Sequence, residues 1–175
     1  MGLARRFLTV LTLTFVMSGL VGCFRSDKPL IGKAEAAFPF EELTVKTEGN
    51  EIAILRKAGD AYAYVDPEKA ADKQSNEKSI LLHQMTDGLY ILQESGQNGR
   101  SIYLFARRDG NKIVVSSICR AIDETALTKL GIERDRDGGD LADCVAKDFK
   151  SLTELAQMPV LWANETKTLE IVSIK

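Results

Sequence analysis

The sequence predicts an α+β fold: an antiparallel, meander-rich sheet of about seven to eight strands, with two helices from the last third of the chain packed on it. Three observations lead there. Between residues 42 and 118, polar and apolar side chains alternate with period two in short runs broken by glycine, asparagine and aspartate. After residue 122 the apolar spacing changes to that of helices. Finally, Ile80-Leu81-Leu82 and Tyr103-Leu104-Phe105 are apolar on both faces of their strands. A sheet covered on both sides needs helices against one face and a second sheet or a partner against the other.

The first strand alternates Leu43, Val45 and Thr47 with Glu42, Thr44, Lys46 and Glu48, and Gly49-Asn50 breaks it. A second covers 51–57 and passes through Gly59-Asp60 into a third, 61–65, which sets Tyr62 and Tyr64 on one face and Ala61, Ala63 and Val65 on the other. Residues 66–78 are polar and read as a connection or short helix. Strands resume at 79–85, 88–93, 101–107 and 112–118, the last two joined by the hairpin signal Asp109-Gly110-Asn111. Asp123 can cap a helix over 124–130 that stops at Gly131. Asp140 can cap a longer helix ending before Pro159, with Leu141, Cys144, Val145, Phe149, Leu152 and Leu155 on its apolar stripe. A strand at 168–174 closes the chain.

The first 22 residues have a different character. Arg5 and Arg6 precede an apolar run over 7–20, which is diluted by threonine and serine and shorter than the about 20 residues a membrane span needs. Myristoylation after Met1-Gly2 would need serine or threonine where Arg6 stands. The segment ends in Leu20-Val21-Gly22-Cys23, which resembles the lipobox of bacterial lipoproteins. The resemblance implies a signal peptide over 1–22 and Cys23 as the lipidated first residue of the mature chain. It also implies a domain anchored in the cell envelope. Phe24 after that cysteine, rather than aspartate, implies the outer membrane, facing the periplasm. Residues 23–40 carry Pro29 and Pro39 without a sustained period and read as a lipidated tether, leaving 41–175 as a single domain.

Charge and cysteine content narrow the partners. Loss of Arg5 and Arg6 takes the net charge from −2 to −4, so nothing favours nucleic acid or anionic lipid headgroups. Membrane attachment must come from the lipid, and an envelope protein is the expected partner. Beside Cys23 there remain Cys119 and Cys144, an even pair that an oxidising compartment would join, stapling helix to sheet.

Chemical signatures are weak. Glu133, Asp135 and Asp137 before Gly138 fit the start of a calcium loop, but Asp140 stands where that loop is apolar and Cys144 where it needs a bidentate glutamate. Acidic residues gathered at a helix N-terminus explain them better. His83, the one histidine, has no nucleophile motif to serve, and Ser75-x-x-Lys78 lacks the companion motifs of penicillin-recognising enzymes. Tyr62, Tyr64, Tyr90, Tyr103, Phe105 and Trp162 could form an aromatic binding face, although strand aromatics are more often core. The sequence therefore implies no catalytic residue and no cofactor. It points to a lipid-anchored envelope lipoprotein with a non-catalytic binding or structural domain. The alternative is a periplasmic inhibitor or small-ligand-binding module acting on hydrolases, with residues 66–78 or 96–100 as its projecting loop.

Overall fold

The computed structural model describes residues 23–65, 67, 79–86, 88–96, 99–117, 119–120, 122–135, 143–163 and 166–175. Eight strands close into a barrel. β2 (Glu42–Lys46), β3 (Ile52–Ala58), β4 (Ala61–Val65), β5 (Ser79–Thr86), β6 (Leu89–Ser95), β7 (Ser101–Asp109) and β8 (Lys112–Ser116) form an antiparallel meander in chain order. β11 (Lys167–Ile174) then inserts between β8 and β2, and β6 pairs with both β5 and β7. Closure leaves these strands without a free edge. The antiparallel meander expected from the sequence is present, and its second covered face is the inside of the barrel.

The hairpins follow from local sequence. Asp109 pairs with Lys112 across Gly110-Asn111, and Gly110 sits at φ 60, a conformation only glycine adopts freely. A helix, α1 (Glu124–Lys129), follows the barrel meander. The Asp123 side chain accepts a hydrogen bond from the Ala126 N–H at 2.9 Å, as expected of its cap. It ends in a Schellman motif: the Gly131 N–H donates to the Thr128 carbonyl and the Ile132 N–H to that of Leu127, with Gly131 at φ 67.

Two expectations need correction. The long helix from Asp140 does not form, although its first residues, 140–142, lie outside the described set. Instead β9 (Glu133–Arg134) and β10 (Cys144–Val145) pair with each other, and β10 also pairs in parallel with β1 (Phe24–Ser26). The helix starts later, as α2 (Phe149–Ala156), because Asp148 accepts from both the backbone N–H (2.8 Å) and the hydroxyl (2.9 Å) of Ser151. α3 (Pro159–Ala163) follows, so among the described residues the last third holds three short helices rather than two, and eleven strands stand in place of seven or eight.

The second correction concerns residues 24–40, which are part of the fold rather than a tether. β1 pairs with the first residues of β7, and Phe24 and Ile31 are fully buried. Past β1 the chain has no period because its backbone bonds go to side chains. The Leu30 and Ile31 N–H groups both donate to Gln93 Oε1 at 2.8 Å, and Gln93 Nε2 donates to the Ile31 carbonyl at 3.0 Å. Further on, the Ala37 N–H donates to the Leu82 carbonyl at 2.7 Å.

The main core lies outside the barrel wall. Ile91, Tyr103 and Phe105 point outward from β6 and β7 and pack against Phe24, Leu127, Leu152, Leu155 and Leu161. Cys119 and Cys144 are bonded, with Cα atoms 5.8 Å apart, and they fasten the segment after β8 to β10 rather than to a helix. That link closes a loop of sequence separation 25. On the chain-entropy model it should stabilise the fold by about 3.5 kcal/mol. Urea unfolding with and without reductant checks this. The reduced chain should unfold at markedly lower urea, and coincident transitions would refute it.

Candidate functional site

Directly paired residues on neighbouring strands point to the same side of a sheet, so the register defines the inside of the barrel. The pairs Leu43–Leu55, Val45–Ala53, Leu55–Tyr64, Tyr62–Ile80, Leu82–Leu92, Tyr90–Ala106, Leu92–Leu104, Arg108–Ile113 and Ala106–Val115 all face inward. β11 contributes Lys167, Leu169 and Ile171. A bulge between Ile171 and Ser173 shifts its phase, so Ile174 rather than Ser173 is the next inward residue.

These side chains leave a cavity of about 190 Å³. Its wall is aliphatic and aromatic over most of its length, with small residues (Ala53, Ala106, Val45 and Val115) around the middle. One end is closed by the segment before β2. Phe38 and Phe40 stack on Tyr62 with ring centroids 5.5 and 4.7 Å away, and the Tyr62 hydroxyl donates to the Phe40 carbonyl at 2.6 Å. At that end the Glu41 N–H donates to the Lys175 carbonyl at 2.7 Å, and Lys175 Nζ reaches Glu42 Oε1 at 2.7 Å. The other end carries the polar lining: Thr47, Tyr64, Ser117 and Lys167.

Tyr64 keeps 37% of its surface accessible, yet that surface faces the apolar interior. Burial, with a smaller push from Glu94, raises its phenol to about 12. Burial likewise raises Tyr62 to about 12, against the opposing hydrogen bond to Phe40. Among the described residues, the charged groups bordering the cavity are Lys167 and Arg108, while Glu94, inward by its pairing with Ile80, is buried in the wall and does not border it.

The residues singled out from sequence do not converge. Cys23 is 7% exposed just before β1, where its N–H donates to Asp143 Oδ1 at 3.1 Å. Burial, then Asp143 and Glu94, push its thiol to about 12. Glu133 pairs with Lys147, and Asp135 with Arg25 at 2.5 Å, while Asp137 lies outside the described residues. The same guanidinium holds Asp27 at 3.1 Å and Asp143 at 3.3 Å, so a cation of the protein's own serves these carboxylates. His83 accepts or donates at the Glu35 carbonyl (2.8 Å) and packs edge-on against Phe149, which is a structural role.

The aromatic set splits. Tyr62, Tyr64 and Tyr90 face inward, Tyr103 and Phe105 belong to the outer core, and Trp162 lies under Arg107. Of the two loops considered for inhibition, the ends of 96–100 are joined by a hydrogen bond from the Gly96 N–H to the Arg100 carbonyl (2.8 Å), and residues 97–98 lie outside the described set. Residues 66–78 lie outside the described set except Pro67, as do Ser75 and Lys78.

The interior phenols have a checkable consequence. Their folded pKa of about 12 exceeds the unfolded value of about 10. Unfolded tyrosines therefore lose protons first, and the contribution is complete below pH ~10 and lost between ~10 and ~12. Phenolate absorbance during alkaline titration should show a late-ionising class that shrinks in Tyr64→Phe. Ionisation of every tyrosine near 10 in the folded protein would contradict the interior placement.

No family model, curated protein or solved structure matches this chain.

Proposed function

We propose that the chain is a lipid-anchored cell-envelope lipoprotein whose domain is a non-catalytic binding module, with the barrel interior as its binding site for a small apolar ligand. The observation that carries this reading is the unfilled, apolar-walled interior of a closed eight-stranded barrel. Eight strands make an interior that side chains can just fill, or that holds one small ligand. Here alanines and valines stand at mid-barrel positions where larger residues would fill the space. A concave, mostly apolar cavity with a few polar groups at one end is the form that small-molecule sites take.

The anchoring half of the proposal rests on the lipobox resemblance at Leu20-Val21-Gly22-Cys23. The Cys119–Cys144 bond supports an oxidising compartment, since cytosolic thiols are kept reduced. Together they favour the cell envelope, and Phe24 rather than aspartate after that cysteine favours the outer membrane, facing the periplasm. Membrane attachment is through Cys23, and an envelope protein is the natural macromolecular partner.

Two measurements test the two halves. In cells, labelled palmitate should enter the chain, and Cys23→Ser should abolish both labelling and membrane retention. An unlabelled chain in the cytosol would overturn the anchoring. For the barrel, an apolar fluorescent probe should bind with one-to-one stoichiometry. Ala53→Phe combined with Ala106→Phe, which builds rings into the cavity, should weaken it by about tenfold or more while circular dichroism stays unchanged. Unaltered probe binding in a folded double variant would remove the interior as the site.

A further inference from the structure

Building on the cavity reading, we infer that the ligand is a single-chain amphiphile with an anionic head, a medium-chain carboxylate, lying tail-inward with its head at Lys167. Apolar space and polar groups are separated along the barrel. Phe40, Leu43, Tyr90, Ile113 and Ile174 line the end closed by the aromatic stack on Tyr62. Thr47, Tyr64, Ser117 and Lys167 line the other. A ligand apolar throughout would leave these groups unused, and one polar throughout would have no partners along the aliphatic middle.

The sign of the head group follows from the charges. No carboxylate among the described residues borders the cavity, whereas Lys167 and Arg108 do. Arg108 lies at the closed end and its Nε donates to the Gly110 carbonyl at 3.1 Å, so it is turned toward its own hairpin. Lys167 has no ion-pair partner among the described residues. It continues the inward series Lys167, Leu169 and Ile171, so its stem runs along the apolar wall and its ammonium reaches the polar end. Thr47, just after β2, and Ser117, just after β8, line the cavity with it, and the Tyr64 phenol, neutral at ordinary pH, can donate to an anion. Glu94 on β6 also faces inward at this end, by its pairing with Ile80, and its charge acts on Tyr64; it is 2% exposed, does not border the cavity, and lies three strands around the wall from Lys167.

Size sets the tail. An apolar cavity of about 150 Å³ accepts benzene. The 190 Å³ here suits one unbranched chain of medium length better than a diacyl lipid.

The test uses the full chain embedded in lipid nanodiscs, with empty nanodiscs as background, and titrates octanoate, octanol and octylamine by calorimetry. Octanoate should bind most tightly and octylamine least. Lys167→Met, which keeps the aliphatic stem, should weaken octanoate about tenfold and leave octanol unchanged. Octanol binding by that variant also reports that its barrel is intact. Equal affinities for octanoate and octanol, or an octanoate affinity indifferent to Lys167→Met, would overturn the anionic assignment while leaving the cavity as a binding site. Failure of all three compounds to bind would overturn the cavity reading itself.

Discussion

The insertion of β11 between β8 and β2 is the constraint on which the structure depends. Seven consecutive strands form a meander whose two ends, β2 and β8, would otherwise be open edges with unpaired backbone groups. β11 satisfies both. It pairs with β8 through Lys167–Val115 to Glu170–Lys112, and with β2 through Glu170–Lys46 to Ile174–Leu43. The strand arrives only after the chain has left the barrel at Ser116 and packed three helices on the outer wall. Its contacts with β2 therefore span more than a hundred residues of sequence, the kind of closure that costs most in chain entropy. The disulfide sits inside that excursion and shortens the path that the unfolded chain must close between β8 and β11.

Closure also divides the apolar residues between two interiors of different quality. Outside the wall, Phe24, Tyr103, Phe105, Leu127, Leu152 and Leu155 are fully buried, with Phe24 and Phe105 meeting edge to face at 5.4 Å. Inside, many residues of the lining keep accessible surface, and the space between them is about 190 Å³. In a well-packed core an apolar void forfeits about 24 cal/mol per Å³, so a cavity of this size is worth roughly 4–5 kcal/mol if nothing occupies it. That is a large share of a domain's net stability. A sequence that packs its outer core so fully had alanine-to-leucine changes open to it inside, and such a loss is better explained by an occupant than by poor packing.

How far the sequence disclosed this fold depends on the length of each signal. The long barrel strands were legible, because alternation over five or more residues and glycine turns such as Gly110 leave few alternatives. Closure was not, since an inward-facing series such as Leu43, Val45 reads the same in an open sheet. β1, β9 and β10 have two or three residues each, too few to show any period, and the tether reading of 24–40 failed for that reason. The helix drawn from Asp140 failed differently: Cys144, Val145, Phe149 and Leu152 have helical spacing, but β1 and Cys119 hold the first pair in a strand. The candidate site was least legible. Lys167 lies just outside the strand expected at 168–174, and its place in the inward series Lys167, Leu169, Ile171 becomes informative only once the barrel is known. Tyr62 and Tyr64 were rightly put on one face, though nothing in the sequence said that the face enclosed a cavity.

The position of Cys23 links the proposed anchor to the barrel. Phe24 is already paired with Tyr103, so a lipid on the preceding residue joins the fold with no intervening spacer. The thiol is buried, and a bulky group on its sulfur requires that residue to lift away. Lifting it gives up bonds that Cys23 itself makes, among them its N–H to Asp143 at 3.1 Å and its carbonyl to the Cys144 N–H at 3.0 Å. At about 1 kcal/mol net for each, that is small beside what holds the next residues. Phe24 fills the outer core, and Arg25 is clasped by Asp135 and Asp143. The chain can therefore release Cys23 and keep β1 in place. A lipid on Cys23, as proposed, would be followed directly by β1, with no linker between the attachment point and the sheet.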